Sequence, residues 1–259
     1  MGMALPALRV QLPARGWHID PRKAAVLGLV CSISVGIIAF LVTEGLAEPI
    51  DALGLLFWRA SPELAPAGPP LLIEMVRDLT ALGGVLLRNL LAIGAILALL
   101  FLRLRREAVL LAFTVAGGWL VNTLLKEAIG RDRPQIVPHL MSAGGDSFPS
   151  GHSFNSAVVF IAIALAFATF SGREKVRLTI IGAAIAISLA VAWSRVWLGV
   201  HFPSDVIAGW LGGAGWAFFA CALLQRPARA ASKAIEEGAR ESGGTQAFGK
   251  PRGHRQTVL

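Results

Sequence analysis

Charged residues are scarce in this sequence. Only 15% of the 259 residues are Asp, Glu, Lys or Arg, whereas 55% are hydrophobic and the mean hydropathy is +0.64. A soluble domain of this size has about a quarter of its residues charged, so the composition argues against a soluble protein. It favours a polytopic membrane protein built from apolar helices.

Cysteine is almost absent as well. The two cysteines, Cys31 and Cys221, each lie inside an apolar run and lack the spacing of metal ligands. We therefore expect two small buried side chains rather than a disulfide or a metal site. No stretch has the spacing of a zinc or two-metal centre, so we expect neither a metal nor a cofactor.

The net charge of +8 is not accompanied by a nucleic-acid-binding motif, so we do not expect a nucleic acid as partner.

Six apolar runs are long enough to cross a membrane as helices. They cover residues 24–42, 83–102, 108–125, 153–170, 178–193 and 206–224. The predicted fold class is therefore all-α, with a six-helix membrane domain over residues 24–224. The first run lacks a small-residue cleavage site, so we expect it to be retained rather than removed as a signal peptide.

The basic residues indicate the orientation of these helices. Most Lys and Arg lie in an N-terminal arm, two short turns and a C-terminal tail, which are residues 1–23, 103–106, 171–177 and 225–259. The positive-inside rule places this side, with both termini, in the cytoplasm. The tail lacks periodicity, so we expect it to be disordered.

The longest outer loop, residues 43–82, is rich in proline. Part of it has apolar residues at helical spacing, namely Leu72, Met75, Val76, Leu79 and Leu82. The charged residues Glu74, Arg77 and Asp78 face the other way, so the pattern predicts an amphipathic helix that could lie in the membrane interface.

Four basic residues oppose the overall charge distribution because they lie in outer loops: Lys126, Arg131, Arg133 and Arg195. Three of them, Lys126, Arg133 and Arg195, fall at the outer ends of helices. Clustered cations repel one another unless an anion or carboxylates compensate them, and Arg and Lys both suit phosphate. One such residue alone could simply anchor a helix to lipid headgroups, but three together predict an anion site.

The stretch Pro149–His152 leads directly into the fourth apolar run. Backbone N–H groups at a helix N-terminus favour an anion, and Gly151 lets the backbone approach it closely. Ser150 offers a hydroxyl and His152 a proton at the same place. The alternative is an ordinary helix cap made by Ser150.

His201 and Asp205 lie four residues apart, where the sixth run begins. If this segment is helical, the two side chains share one face. A carboxylate that binds one ring nitrogen leaves the other free to attack an electrophile. A structural His–Asp pair is the alternative. Nearby cations favour neutral His201 whereas Asp205 opposes this, and the sequence leaves the balance open.

These residues form three motifs in order. They are K-x6-R-P (Lys126, Arg133, Pro134), P-S-G-H (149–152) and S-R-x5-H-x3-D (Ser194, Arg195, His201, Asp205). Together they resemble the signature of the type-2 phosphatidic acid phosphatases, or lipid phosphate phosphatases, whose superfamily includes the vanadium haloperoxidases. The resemblance covers about residues 80–224, and six spans are the norm in that family.

The resemblance implies a role for each motif residue. His201 would attack phosphorus, Asp205 would orient it, and His152 would protonate the leaving oxygen and later activate water. The phosphate-binding residues would be Lys126, Arg133, Ser150, Gly151 and Arg195. His201 would start neutral and His152 protonated.

The expected function is that of an integral-membrane lipid phosphatase that works without metal. Its substrate would be undecaprenyl diphosphate, phosphatidic acid, phosphatidylglycerol phosphate or a lipid A phosphate. A lipid phosphotransferase using the same site and a non-catalytic anionic-lipid binder or transporter remain alternatives. We expect a bacterial inner-membrane location, an extracytoplasmic active site and no obligate protein partner.

Three further residues lie outside the motifs. Arg88 lies near the outer end of the second run. An arginine inside a span is a functional candidate, but we favour a side chain that reaches the lipid headgroups. His139 is expected to be an exposed loop residue. Arg131 could either bind substrate or pair with Asp132 or Glu127.

Overall fold

The structure is a computed structural model that describes residues 19–60 and 63–222. These residues form eight α-helices and one β-hairpin. The elements are α1 Pro21–Thr43, α2 Glu48–Leu56, β1 Arg59–Ala60, β2 Ala65–Pro66, α3 Pro70–Ala81, α4 Val85–Phe101, α5 Arg105–Ile129, α6 Gly151–Ala168, α7 Glu174–Trp197 and α8 Pro203–Ala222. The two short strands pair antiparallel.

Five helices, α1, α5, α6, α7 and α8, are long and apolar enough to cross a membrane. Helices α3 and α4 pass the same test together, as a pair bent by 43°. The described residues therefore provide six spans when the bent pair counts as one. This confirms the predicted all-α membrane architecture, and the second span is the broken one.

The segment 43–82 contains more structure than its proline content suggested. It holds α2, the hairpin and α3, so the predicted amphipathic helix is present. Helix α3 buries Val76 in a cluster with Trp197 at the end of α7. Helix α3 packs through a narrow stripe centred on Val76 and Thr80. Met75, which was expected on the apolar face of this helix, lies outside that stripe and is 58% exposed.

Small residues hold α8 against the start of α6. A β-carbon added to Gly209 would lie 2.7 Å from the carbonyl oxygen of Ser150, and one added to Gly213 would lie 2.0 Å from that of Phe154. Glycines four residues apart let two helix backbones approach closely in a membrane protein. The backbone N–H of Ser150 also donates to the carbonyl of Asp205 (3.0 Å). This packing places the Pro149–His152 turn directly beside the beginning of α8.

Both cysteines are free thiols. Cys221 is buried in a cluster with Ala157 and Ile161, as expected. Cys31 is only partly buried, because most of α1 is exposed on the outside of the bundle. The first 18 residues of the predicted arm, and the tail 225–259, lie outside the described residues.

Candidate active site at the helix ends

The three motifs meet at one end of the helix bundle. Lys126 lies in the last turn of α5, His152 in the first turn of α6 and Arg195 in the last turn of α7. His201 stands in the short connection between α7 and α8. Consecutive helices run in opposite directions, so these four positions share one face of the molecule. The structure therefore brings the sequence-predicted residues together, while their chemical roles stay predictions.

The hydrogen bonds of His201 define its tautomer. Arg133 Nη1 donates to Nε2 of His201 (3.0 Å), and a guanidinium can only donate. Nε2 therefore carries a lone pair, and the ring hydrogen is on Nδ1. Nδ1 faces Ser147 Oγ at 3.3 Å and Asp205 Oδ2 at 3.6 Å. The nitrogen with the lone pair is the one that faces the cations.

Ser147 bridges His201 and Asp205. Its hydroxyl donates to Asp205 Oδ2 (2.5 Å), and the backbone N–H of Phe202 donates to the same oxygen (3.0 Å). The direct Nδ1–Oδ2 separation of 3.6 Å is too long for a hydrogen bond. The carboxylate thus holds the imidazole largely through Ser147. The sequence analysis missed this residue, which lies in the outer loop outside the motifs.

His201 is buried, with 1% of its surface exposed. Burial lowers its pKa to about 4, and the positive charges of Arg133 and Arg195 act in the same direction. Asp205 raises the pKa but does not reverse the shift. The balance that the sequence left open thus favours a neutral imidazole at pH 7.

The cations of the site bind backbone carbonyl groups. Arg133 donates to the carbonyls of Gly144 (2.8 Å), Gly145 (2.9 Å) and Val200 (2.8 Å). Lys126 Nζ donates to the backbone carbonyl of Asp146. Carbonyl oxygens are neutral, so these hydrogen bonds do not neutralise the positive charges. The carboxylates of Asp146 and Asp205 offset them in part.

Arg195 is the most buried cation of the group, with 2% exposure. Its Nη1 donates to Thr80 Oγ1 (3.0 Å) and contacts Met141 Sδ (3.0 Å). Its Nε is buried without a hydrogen-bond partner. A buried donor that lacks an acceptor is rare in folded proteins, and an anion beside Arg195 would satisfy it.

The Pro149–His152 turn brings the N-terminus of α6 next to Lys126. Ser150 is the N-cap residue of α6, but its side chain makes no capping hydrogen bond, so the ordinary cap considered above is not formed. Ser150 Oγ instead accepts from Ser153 Oγ (3.0 Å). A β-carbon on Gly151 would lie 3.3 Å from Asn122 Oδ1 and 3.7 Å from Lys126 Cε. Glycine at this position therefore keeps the backbone next to Lys126 unobstructed.

His152 lines the side of the site that faces the bend between α3 and α4. A β-carbon on Gly83, at that bend, would lie 3.4 Å from Cδ2 of His152. The ring interacts electrostatically with Arg195, His201 and Arg88. His152 thus lies near the same cations, Arg195 and Arg133, as His201 does.

Arg131 is a site residue whose partners the sequence analysis did not find. It binds Asp205 Oδ1 (2.7 Å) through Nη1 and Asp51 Oδ2 (2.8 Å) through Nη2. Its guanidinium carbon also lies 4.0 Å from the ring centre of Phe202. Of the two alternatives considered for Arg131, pairing with a carboxylate is therefore observed, but the partners are Asp51 and Asp205 rather than Asp132 or Glu127.

Asp51 lies in α2 and has 1% exposure. Besides Arg131 it accepts from the backbone N–H (2.9 Å) and the hydroxyl (2.6 Å) of Ser204. It thereby ties α2 to the start of α8. No pattern in the sequence signals this contact, because nothing local distinguishes Asp51 from the neighbouring carboxylate Glu48.

Arg88 also departs from expectation. It was expected to reach the lipid headgroups, but 6% of its surface is exposed, and Nη1 donates to the carbonyl of Gly83 (3.3 Å). The prediction was wrong because Arg88 lies on the face of α4 that packs inside the bundle.

His139 is exposed as predicted, and its Nε2–H donates to the carbonyl of Pro134 (2.7 Å). In residues 19–60 and 63–222, no three His, Cys, Asp or Glu side chains are placed to hold a metal ion.

Comparison with known proteins adds a family relationship to this geometry. A family model for the PAP2 superfamily matches residues 107–229. The chain is 37% identical over 145 residues to phosphatidylglycerophosphatase B of Bacillus subtilis, covering 54% of this chain and 69% of that protein. It is 37% identical over 125 residues to a lipid A 1-phosphatase of Rhizobium johnstonii, covering 45% of this chain and 47% of that protein.

A solved structure is also similar. The crystal structure of a transmembrane PAP2-type phosphatidylglycerolphosphate phosphatase from Bacillus subtilis superposes with a TM-score of 0.68 and 28% identity. The match covers 74% of this chain and 93% of that chain.

Proposed function

The chain belongs to the PAP2 superfamily and is a membrane lipid phosphatase of the PAP2 type, and from this premise we propose a metal-independent reaction through a phosphohistidine on His201. The substrate would be a phosphomonoester or a diphosphate of a membrane lipid. The observation that carries the proposal is the state of His201. The residue is buried, burial favours its neutral form, and its Nε2 faces Arg133.

In the first step, Nε2 of His201 attacks the phosphorus atom. The Nε2–P bond forms while the bond from phosphorus to the lipid oxygen breaks, and His152 gives that oxygen a proton. The imidazole becomes positively charged, and the Ser147–Asp205 arrangement on its Nδ1 side stabilises this charge. In the second step, His152 takes a proton from water, and the water oxygen bonds to phosphorus while the Nε2–P bond breaks. Inorganic phosphate leaves, and His201 returns to its neutral form.

The cations would bind the phosphate oxygens throughout both steps. In this proposal Lys126, Arg133 and Arg195 contact the phosphate bound to His201, and the backbone N–H groups and the hydroxyl of Ser150–Gly151 add hydrogen bonds. Three fixed positive charges can neutralise the charge that metal ions neutralise in other phosphoryl-transfer enzymes. The unpartnered Nε of Arg195 supports this assignment.

The placement of basic residues supports an orientation in the membrane. Arg105 begins α5, and Arg173 and Lys175 lie at the beginning of α7, so all three are at the opposite end of the bundle from the site. By the positive-inside rule, that end would face the cytoplasm. We therefore place the active site on the extracytoplasmic side of a bacterial inner membrane.

The test is phosphate release by detergent-purified protein in excess EDTA. The panel contains undecaprenyl diphosphate, phosphatidic acid, phosphatidylglycerol phosphate and lipid A. His201→Ala should abolish release, whereas His139→Ala, which changes an exposed histidine in the same region, should not. A base-stable, acid-labile phosphoryl group from labelled substrate should appear on the wild type but not on His201→Ala.

Each other outcome has a distinct meaning. Release that requires a divalent metal would contradict the role given to the three cations. Phosphorylated lipid without free phosphate would indicate a phosphotransferase. Tight lipid binding that survives His201→Ala, with no turnover by the wild type, would indicate a binder or transporter.

A further inference from the structure

Arg88 is a buried cation without a matching anion. It lies in the first turn of α4 and is 6% exposed. Its guanidinium makes a long hydrogen bond to the carbonyl of Gly83 (3.3 Å). Within residues 19–60 and 63–222, none of the ion pairs involves it. A charge buried in a membrane protein without a partner is costly, and such residues usually serve binding or catalysis.

The surroundings of Arg88 indicate what it could bind. The Gly83 carbonyl that it contacts belongs to the bend between α3 and α4, and this bend lies against His152. Arg88 and His152 also interact electrostatically. Arg88 therefore lies on the His152 side of the site. Lys126, by contrast, borders Gly151 and the Asp146 carbonyl.

In the proposed reaction, His152 protonates the oxygen of the departing lipid. The group next to His152 is consequently the leaving group rather than the phosphate that is transferred. We propose that Arg88 binds a second anionic phosphate group, carried by the leaving lipid, and so makes the enzyme selective for such lipids. This inference rests on the function proposed above and identifies a specificity-determining residue of that site.

The candidate substrates differ in this respect. A polyprenyl diphosphate loses its terminal phosphoryl group to His201, and the bridging P–O bond breaks, so a lipid monophosphate departs with its charge. Phosphatidylglycerol phosphate departs as a lipid whose phosphodiester lies one glycerol unit from the broken bond. Phosphatidic acid departs as uncharged diacylglycerol. Arg88 would stabilise the first two leaving groups but has no anion to bind in the third.

The test compares kcat/KM for these three lipids. Arg88→Gln should lower kcat/KM by roughly 10- to 100-fold for lipids with a second phosphate, because a hydrogen bond between charged groups is lost. The value for phosphatidic acid should change by less than about threefold, since that hydrogen bond is absent there. For lipids with a second phosphate, kcat/KM of Arg88→Lys should lie between the values of the wild type and of Arg88→Gln. Lysine keeps the positive charge but cannot make the paired hydrogen bonds of a guanidinium. Arg105→Gln is the matched control, as it removes an exposed arginine at the opposite end of the bundle.

Product inhibition gives a second readout. Arg88→Gln should weaken inhibition by undecaprenyl monophosphate by a similar factor and leave inhibition by inorganic phosphate unchanged. If Arg88→Gln lowers kcat/KM for undecaprenyl diphosphate alone, Arg88 binds a phosphate that is directly bonded to the transferred phosphoryl group. If only phosphatidylglycerol phosphate responds, the anion is the distant phosphodiester.

An equal loss for all three lipids would overturn the inference and leave Arg88 as a support of the α3–α4 bend. If Arg88→Gln does not fold, the same comparison on Arg88→Lys decides, because an equal loss there has the same meaning. Failure of the proposed function itself would look different, since the wild type would then release phosphate from none of the lipids.

Discussion

Replacing Arg131 by glutamine should change the pH dependence of the reaction. Arg131 binds Asp205 at 2.7 Å and compensates much of its charge. Without this cation, Asp205 would attract a proton to His201 more strongly, because Nδ1 of His201 lies 3.6 Å from Asp205 Oδ2. The pKa of His201 should therefore rise in the variant.

The expected size of this effect follows from the state of His201. Its pKa is lowered from 6.5 to about 4, a shift that corresponds to about 3 kcal/mol. An uncompensated opposite charge at this distance raises a pKa by about 1 to 3 units, so we expect a value of about 5 in Arg131→Gln. At pH 5, about half of the His201 side chains would then be protonated, against about a tenth in the wild type.

The assay is kcat/KM for phosphate release between pH 3.5 and 8. The attacking imidazole must be neutral, so activity is lost as the pH falls through the pKa of His201. The variant should lose activity at a pH about one unit higher than the wild type does. The ratio of the two profiles cancels the ionisation of the lipid phosphate, which both proteins share.

Arg131→Lys is the matched control, because it keeps the positive charge near Asp205. The pH at which Arg131→Lys loses half of its kcat/KM should remain close to the wild-type value, even if its kcat/KM at high pH is lower. The reasoning would be refuted if folded Arg131→Gln lost activity at the wild-type pH. Arg131 would then act only by positioning Asp205.

Three further changes test other contacts. Ser147→Ala should lower kcat by about tenfold, because it removes a bridge worth about 1 kcal/mol or more; an unchanged kcat would mean that the direct His–Asp contact suffices. Asp51→Asn should lower the thermal stability in detergent by about 1.5–3 kcal/mol, the value of a hydrogen bond to a charged group, and an unchanged melting temperature would contradict this. Gly213→Ala should destabilise by about 1–3 kcal/mol, since its β-carbon would lie 2.0 Å from the carbonyl oxygen of Phe154. Gly182→Ala is the control, because its β-carbon would meet nothing within 4 Å, and the protein should keep its stability. Equal stability of the two alanine variants would show that the helices move apart enough to relieve the clash at Gly213.

The sequence predicted the helical spans and the motif residues for a physical reason. Apolar runs of membrane length are visible in composition alone, and the motifs fall at the ends of those runs. Lys126, His152 and Arg195 therefore had to share one face once the helices were placed in alternating directions. The structure adds the hydrogen bonds that orient these residues.

The residues that the sequence could not assign depend on contacts between distant segments. Arg131 binds Asp51, 80 positions earlier in the chain. The residues next to Arg131 in the sequence suggest only neighbours such as Asp132 as partners, and Arg131 pairs with Asp51 and Asp205 instead. Arg88 illustrates a related difficulty, because α4 is apolar on all sides and hydropathy does not reveal which face packs inside. The bend at Gly83–Gly84 determines that face, and it became apparent only with the three-dimensional structure.

The contacts of Arg133 connect phosphate binding with access to the nucleophile. In the free protein its Nη1 donates to Nε2 of His201 and to the carbonyl of Val200. This guanidinium nitrogen therefore covers the lone pair that has to attack. A phosphate oxygen is a stronger acceptor than a neutral imidazole nitrogen because it is charged, so a bound phosphate would draw Nη1 away from Nε2. The nucleophile of the proposed reaction would thus become available when its substrate is in place, and the same arginine would serve both the resting and the bound state.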